Sequence, residues 1–274
     1  MRGGGTRGLL RRHLHRAGLW RRLLLTSRPL ARRLLAEFVG TALLVTIVIG
    51  SGIAAERLSP GQAGLQLLES STATALGLTV LILTFGPASG GHFNPVISAV
   101  DWVIGRRSGS GLPPRTLGGY AVAQLAGGVA GAVLASVMYD MPALELAATE
   151  RSGGGVMIAE VVATAGLVTV VFALARNGLS VWAAPAVGAY IGAAYWFTSS
   201  TSFANPAVTV ARMFSDTFAG IAPGSVLPFL GAQAVGGLVG AALVPALYPD
   251  VAVAADDVVV PHGGATSNTR GDRS

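Results

Sequence analysis

Six stretches of the chain, roughly 34–55, 67–86, 117–139, 155–175, 179–199 and 225–247, are apolar and nearly free of charge. Each is about 20 residues long, the length of α-helix that crosses a hydrocarbon core about 30 Å thick. In lipid every backbone amide needs an internal partner, and a helix supplies one for each. The pattern excludes a soluble globular domain. Charge content agrees, since 12% of the 274 residues are charged against about 25% in soluble domains. Abundant Gly and Ala within the apolar stretches point to helices packed closely inside a bilayer. The expected fold class is an all-α membrane protein with six transmembrane helices.

An even number of spans puts both termini on one side. All nineteen basic residues are Arg, and ten of them fall in residues 1–33 without a single acid. Alternating the spans places sixteen of the nineteen on the side of the termini and leaves Arg57, Arg151 and Arg212 on the other. Such a bias marks the cytoplasmic side. Residues 1–33 are therefore expected as a disordered basic cytoplasmic arm beside the membrane rather than a nucleic-acid-binding segment. Residues 34–248 are expected as the membrane-spanning domain, in halves 34–139 and 155–248, and the polar stretch 249–274 is expected as a disordered cytoplasmic tail. The chain has no Cys, so neither disulfides nor thiolate chemistry enter.

The halves repeat. "LLAEFVGTALLVTIV" from Leu34 aligns with "MIAEVVATAGLVTVV" from Met157 at a constant offset, pairing Glu37 with Glu160, Thr41 with Thr164, Leu44 with Leu167 and Val48 with Val171. Three spans per half is odd, so the second copy enters from the opposite face, an inverted repeat that places paired sites near the midplane. Two shorter apolar stretches, 93–103 and 203–214, carry Asn-Pro in "HFNPVISAV" and "SFANPAVTVAR". At ~1.5 Å per residue each covers about half the bilayer. A backbone break in hydrocarbon is tolerable where protein or pore water satisfies it, as when two half-helices meet tip to tip. Pro95 and Pro206 then take the first helical position, where a missing N–H costs nothing. Asn94 and Asn205 become N-caps, and two positive helix ends face one midplane point. That arrangement opposes cations, while the Asn amides hydrogen-bond water or a neutral solute.

Paired Asn-Pro-Ala-type motifs, inverted halves and the "AEFVGT" opening resemble the aquaporin and glycerol-facilitator family (major intrinsic proteins) over about residues 33–248. The first motif, Asn94-Pro95-Val96, has Val where the family usually has Ala; the second is Asn205-Pro206-Ala207. The resemblance implies six spans plus two re-entrant half-helices and a homotetramer with one pore per subunit. The resulting protein would be a multi-pass one of the plasma (inner) membrane. It also implies that Glu37 and Glu160 hold the re-entrant loops through backbone N–H groups, and that His92 lines or packs against the pore. Most members place an Arg directly after the second motif; this chain has Val208. By the family's spacing from the two Asn residues, the other filter positions are Thr74, Ala193 and Ser202. The ring Thr74, Ala193, Ser202 and Val208 is small and uncharged, so a wide constriction is expected.

Two readings stand for Arg212, two turns past Asn205. Side chains lean toward the helix N-terminus, so its guanidinium can reach back toward the filter as a substitute cation. Alternatively it is a vestibule Arg paired with Asp216 four residues on. The "SFANPAVT…AR…DTFAGIAP" pattern is similar to a bacterial subgroup associated with arsenic-resistance gene clusters and lacking the filter Arg. The implied function is passive conduction of water and small neutral polyol-like solutes, glycerol and arsenite included, without enzymatic activity, cofactor or metal. Met138, Met141, Met157 and Met213, with neither Cys nor a His cluster, read as packing rather than metal ligands. Ser89, His92 and Ser98 lack the Gly-x-Ser-Gly context of an intramembrane protease. The stronger rival is a proton-coupled transporter on broken helices, which needs an ionisable pore residue; Glu37 and Glu160 are the mid-span acids available to it.

Overall fold

A computed structural model describes residues 29–106 and 111–248. The tail expected over 249–274 lies outside them, as does the arm up to residue 28. The long helices are α1 (Leu30–Leu58), α2 (Ala63–Ser89), α4 (Pro114–Met138), α5 (Gly154–Arg176), α6 (Ala183–Phe197) and α8 (Pro223–Leu247). Two short ones, α3 (Pro95–Gly105) and α7 (Pro206–Arg212), follow α2 and α6. Among the described residues there is no strand. Helix α1 starts right after Pro29, a residue that tolerates the start of a helix but not its interior. Residues 30–33, expected in the arm, therefore belong to the first membrane helix.

Five of the six long helices are long and apolar enough to cross a bilayer unaided. The sixth, α6, has 15 residues and is led in by a 3₁₀ turn at Ser180–Trp182. It stops short of the expected 199. The Thr198 hydroxyl donates to the Ala194 carbonyl at 2.6 Å, and the polar run Thr198–Ser202 then leaves the helix. Helix α7 is likewise shorter than the expected 203–214: seven residues, against eleven in α3.

The repeat governs packing. Helix α1 lies on α4 and α2, and its counterpart α5 lies on α8 and α6, while α2 against α6 joins the halves. Helices approach closely because glycines face backbone. A methyl built on Gly236 of α8 would stand 2.6 Å from the Val161 carbonyl oxygen and 2.8 Å from Thr164 Cβ on α5. Gly131 of α4 meets the Ala42 carbonyl of α1 in the same way. In a bilayer, where apolar burial gives little drive between helices, such contacts hold the bundle. We expect Gly236→Leu to force α5 and α8 apart and cost roughly 3 kcal/mol or more. A lowered thermal transition in detergent checks this; a wild-type transition would refute it.

Candidate functional site

The half-helices meet tip to tip in the middle of the bundle. Asn94 Oδ1 accepts from the Val96 amide at 2.9 Å, and Asn205 Oδ1 accepts from the Ala207 and Val208 amides at 2.9 and 3.3 Å. Each Asn thus caps its own helix. Its amide nitrogen serves the opposite loop: Asn94 Nδ2 donates to the Ala204 carbonyl at 2.7 Å, and Asn205 Nδ2 donates to the Phe93 carbonyl at 2.8 Å. Both accepting residues have left-handed backbone, Phe93 at φ 49° and Ala204 at φ 47°. Such φ values strain a non-Gly residue and persist where the surroundings over-determine them; here the strain turns each carbonyl across to the other half. Each Asn side-chain nitrogen carries two hydrogens, so one N–H per Asn remains beyond the cross-link.

The loops hang on two buried carboxylates. Glu37 accepts from Ser89 Oγ at 2.6 Å, the His92 amide at 3.0 Å, the Phe93 amide at 2.7 Å and Gln124 Nε2 at 2.7 Å. Glu160 accepts from the Phe203 amide at 3.2 Å, from Gln233 Nε2 at 2.8 Å and from the Ala204 amide. The glutamines extend the network, Gln124 to Ser98 Oγ at 3.1 Å and Gln233 to Thr209 Oγ1 at 2.7 Å. Those hydroxyls bond back to the cap carbonyls of Asn94 at 3.2 Å and Asn205 at 2.8 Å. Gln124, Gln233, Ser98 and Thr209 were not among the expected site residues. A signal for the glutamines exists: "QLAGGVAG" from Gln124 and "QAVGGLVG" from Gln233 share Gln-x-x-Gly-Gly-x-x-Gly. The third motif positions pack on these glycines. Val96 Cγ1 would be 2.7 Å from a methyl on Gly237, and the Ala207 carbonyl 3.0 Å from one on Gly128. Gly237 thus makes room for the extra bulk of Val96.

A cavity of about 60 Å³ lies beside the abutting tips, above the roughly 10–15 Å³ that a water molecule needs. Its wall is mostly apolar, with Leu44, Val48, Leu78, Ile82, Leu167, Val171, Val187 and Ile191 among the lining side chains. Polar groups interrupt it at Gly91, His92, Asn94, Asn205, Ser202, Thr74, Tyr195 and Arg212, and Val208 lines it too. His92 is fixed by Ser98 Oγ, 3.0 Å from its Nδ1, and meets the Tyr120 ring edge-on at 5.5 Å between centroids. Neither Glu37 nor Glu160 lies on this wall.

The structure thus brings together Thr74, Ser202 and Val208, together with Arg212. It does not bring in Ala193, which is exposed on the outside of α6. The inward stripe of that helix is Val187, Ile191 and Tyr195, spaced by four. At about 100° per residue, Ala193 points roughly opposite. Tyr195 takes its place, with its hydroxyl 3.2 Å from Thr74 Oγ1. Arg212 is not a vestibule residue paired with Asp216. It is 3% exposed, its Nε donates to the Ala219 carbonyl, and its guanidinium carbon sits 3.4 Å from the Phe203 ring centroid. Asp216 instead accepts from the Ala148 amide at 2.9 Å.

Known proteins share this architecture. The Major intrinsic protein family model matches residues 24–199. Aquaglyceroporin AqpS of Rhizobium meliloti (strain 1021) is 45% identical over 215 residues, which span 78% of this chain and 89% of that protein. Aquaporin-2 of Rhizopus delemar is 37% identical over 103 residues, 38% of this chain and 30% of its own length. In fold, the chain matches the crystal structure of the aquaglyceroporin from Plasmodium falciparum with a TM-score of 0.60 at 20% identity, covering 81% of this chain and 97% of the other. With its inverted helical halves and two Asn-capped half-helices abutting beside a lined cavity, the chain belongs to the major intrinsic protein family.

Proposed function

We propose that this protein is a passive channel for water and small neutral hydroxylated solutes, glycerol and arsenite among them. The carrying observation is the cavity beside the abutting tips, whose wall combines apolar side chains with hydrogen-bonding groups. A polyol or a neutral trihydroxide needs both kinds of surface, and water uses the polar groups alone. Val208 leaves the position after the second motif without a guanidinium, so the ring of Thr74, Tyr195, Ser202 and Val208 carries no charge of its own and admits solutes larger than water. Two positive half-helix ends at the tips oppose cations. Membership of a channel family sets enzymatic turnover aside.

The same reading places the protein in the plasma (inner) membrane with both termini cytoplasmic, as a homotetramer with one pore per subunit. A proton-coupled transporter would need an acid exposed to the path, whereas Glu37 and Glu160 are bound by loop amides behind the wall. Proteoliposomes test the proposal. Glycerol swelling and arsenite uptake, the latter followed by mass spectrometry, should both exceed empty vesicles and stop at equal concentrations. Arsenite flux at the empty-vesicle level would remove arsenite from the substrates. Accumulation against a gradient, driven by pH, would replace the channel with the transporter.

A further inference from the structure

We propose that Arg151 and Arg212 together form the cation barrier of this channel, one layer nearer the face away from the termini than Val208. This rests on the channel reading and concerns how a wide, uncharged ring still rejects ions.

A second cavity of about 60 Å³ adjoins the first, lined by Leu67, Ser70, Arg151, Tyr195, Thr201, Arg212, Phe218 and Ala219. Tyr195 and Arg212 belong to the walls of both cavities, so they stand at the junction. A permeant leaving the ring must pass them and then meets Arg151. Neither wall carries an Asp or Glu. A cation there faces two positive groups with no counter-charge among the lining residues.

The positions of both guanidiniums are built. Three consecutive carbonyls hold them: Arg151 donates from Nη2 to Phe218 at 3.0 Å and from Nε to Gly220 at 2.8 Å, while Arg212 donates to Ala219 between them. Both guanidinium carbons face the Phe203 ring, at 5.1 Å for Arg151 and 3.4 Å for Arg212. Carbonyl dipoles and the ring's negative face offset the repulsion of two nearby cations. Arg151 comes from the connection between α4 and α5, which is stapled across this mouth. The Ala147 amide donates to the Met213 carbonyl at 2.9 Å, the Ala222 amide to the Thr149 carbonyl at 2.7 Å, and the Arg151 amide to Ser225 Oγ at 3.0 Å. Burial pulls the Arg151 guanidinium below the usual arginine range, the expected sign for a charge held away from bulk water.

The division of labour follows. Guanidinium N–H groups not used on carbonyls can donate to the oxygen of a neutral hydroxylated solute, and the charge rejects Na⁺. The size limit at Val208 can then stay loose.

Proteoliposomes of the full chain separate the two roles, with Na⁺ influx and glycerol swelling measured on the same vesicles. Wild type should swell and exclude Na⁺. Arg151→Gln should raise the ratio of Na⁺ to glycerol flux on the order of tenfold, the effect of one charge at close range in a partly dry site. Arg151→Lys should keep the ratio low, and Arg151→Gln with Thr201→Lys should restore it. Thr201→Glu puts an acid in the second cavity while leaving both arginines on their carbonyls, and it should raise the ratio likewise. Unchanged Na⁺ exclusion in Arg151→Gln and in Thr201→Glu, with glycerol flux persisting, would overturn the proposal. If Arg151→Gln abolishes all flux, Thr201→Glu alone decides. Wild-type vesicles that fail to swell in glycerol would instead sink the channel reading.

Discussion

Glu37→Ala is expected to destroy the pore and most of the stability of the first half. The carboxylate takes four donors, Ser89 Oγ, the His92 and Phe93 amides and Gln124 Nε2, all at 3.0 Å or less. Glu37 is completely buried, so the carboxylate is the partner these donors have in the interior. A buried donor left unpaired costs about 1–3 kcal/mol, so the four together approach the 5–15 kcal/mol that holds a typical domain folded. The loop that carries Asn94 would lose its anchor, and with it the cross-bond to Ala204. We expect a thermal transition lowered by about 10 °C or more and water permeability near that of empty vesicles. Glu160→Ala removes the acceptor of the Phe203 and Ala204 amides, of Gln233 Nε2 and of the Ser200 hydroxyl and should show a comparable loss in the second half. A Glu37→Ala protein that melts and conducts like wild type would show that the loops hold themselves.

The second large effect is on selectivity. Val208 lies on the cavity wall, 5% exposed, one turn ahead of Arg212 on α7. An Arg at 208 would put a guanidinium into the ring with Thr74 and Ser202 and narrow it. Water needs less cross-section than a three-carbon polyol or a trihydroxide. Val208→Arg should therefore cut glycerol and arsenite flux on the order of tenfold while reducing water flux much less. Stopped-flow swelling in the three solutes on one preparation measures it. Equal losses for all three, or none, would place the narrowest point elsewhere.

Much of this was legible in the chain because it is local. Asn-Pro at 94–95 and 205–206 gives a cap followed by a first helical residue, and both half-helices begin there. The repeat pairs Leu44 with Leu167 and Val48 with Val171, and all four line the cavity. They sit at i and i+4, one face of each helix. Helix ends were less legible: α6 stops at Phe197 because side chains in a polar run compete for its last carbonyls, which no apolar count registers.

Ala193 shows where counting along the chain fails. Measuring back from Asn205 presumes a fixed path between helix and motif. That path contains Thr201, Ser202 and Ala204 at φ 58°, 51° and 47°. Two residues of slippage in a helix turn a side chain through about 200°, enough to exchange an inward Tyr195 for an outward Ala193. Arg212 was open for a related reason. Its helix and phase could be read, but the carbonyl and the ring that claim its guanidinium belong to Ala219 and Phe203.

The sequence by itself determined that this chain lives in a bilayer, folds as two inverted halves and breaks two helices at its midplane, because hydrophobic length, cap chemistry and internal repetition act over a few residues. The tertiary structure alone decided that Tyr195 rather than Ala193 faces the path and that Arg151 joins its wall. Tyr195 and Arg151 take their places through helix rotation and through bonds to segments far away in the chain, and neither has a local signature.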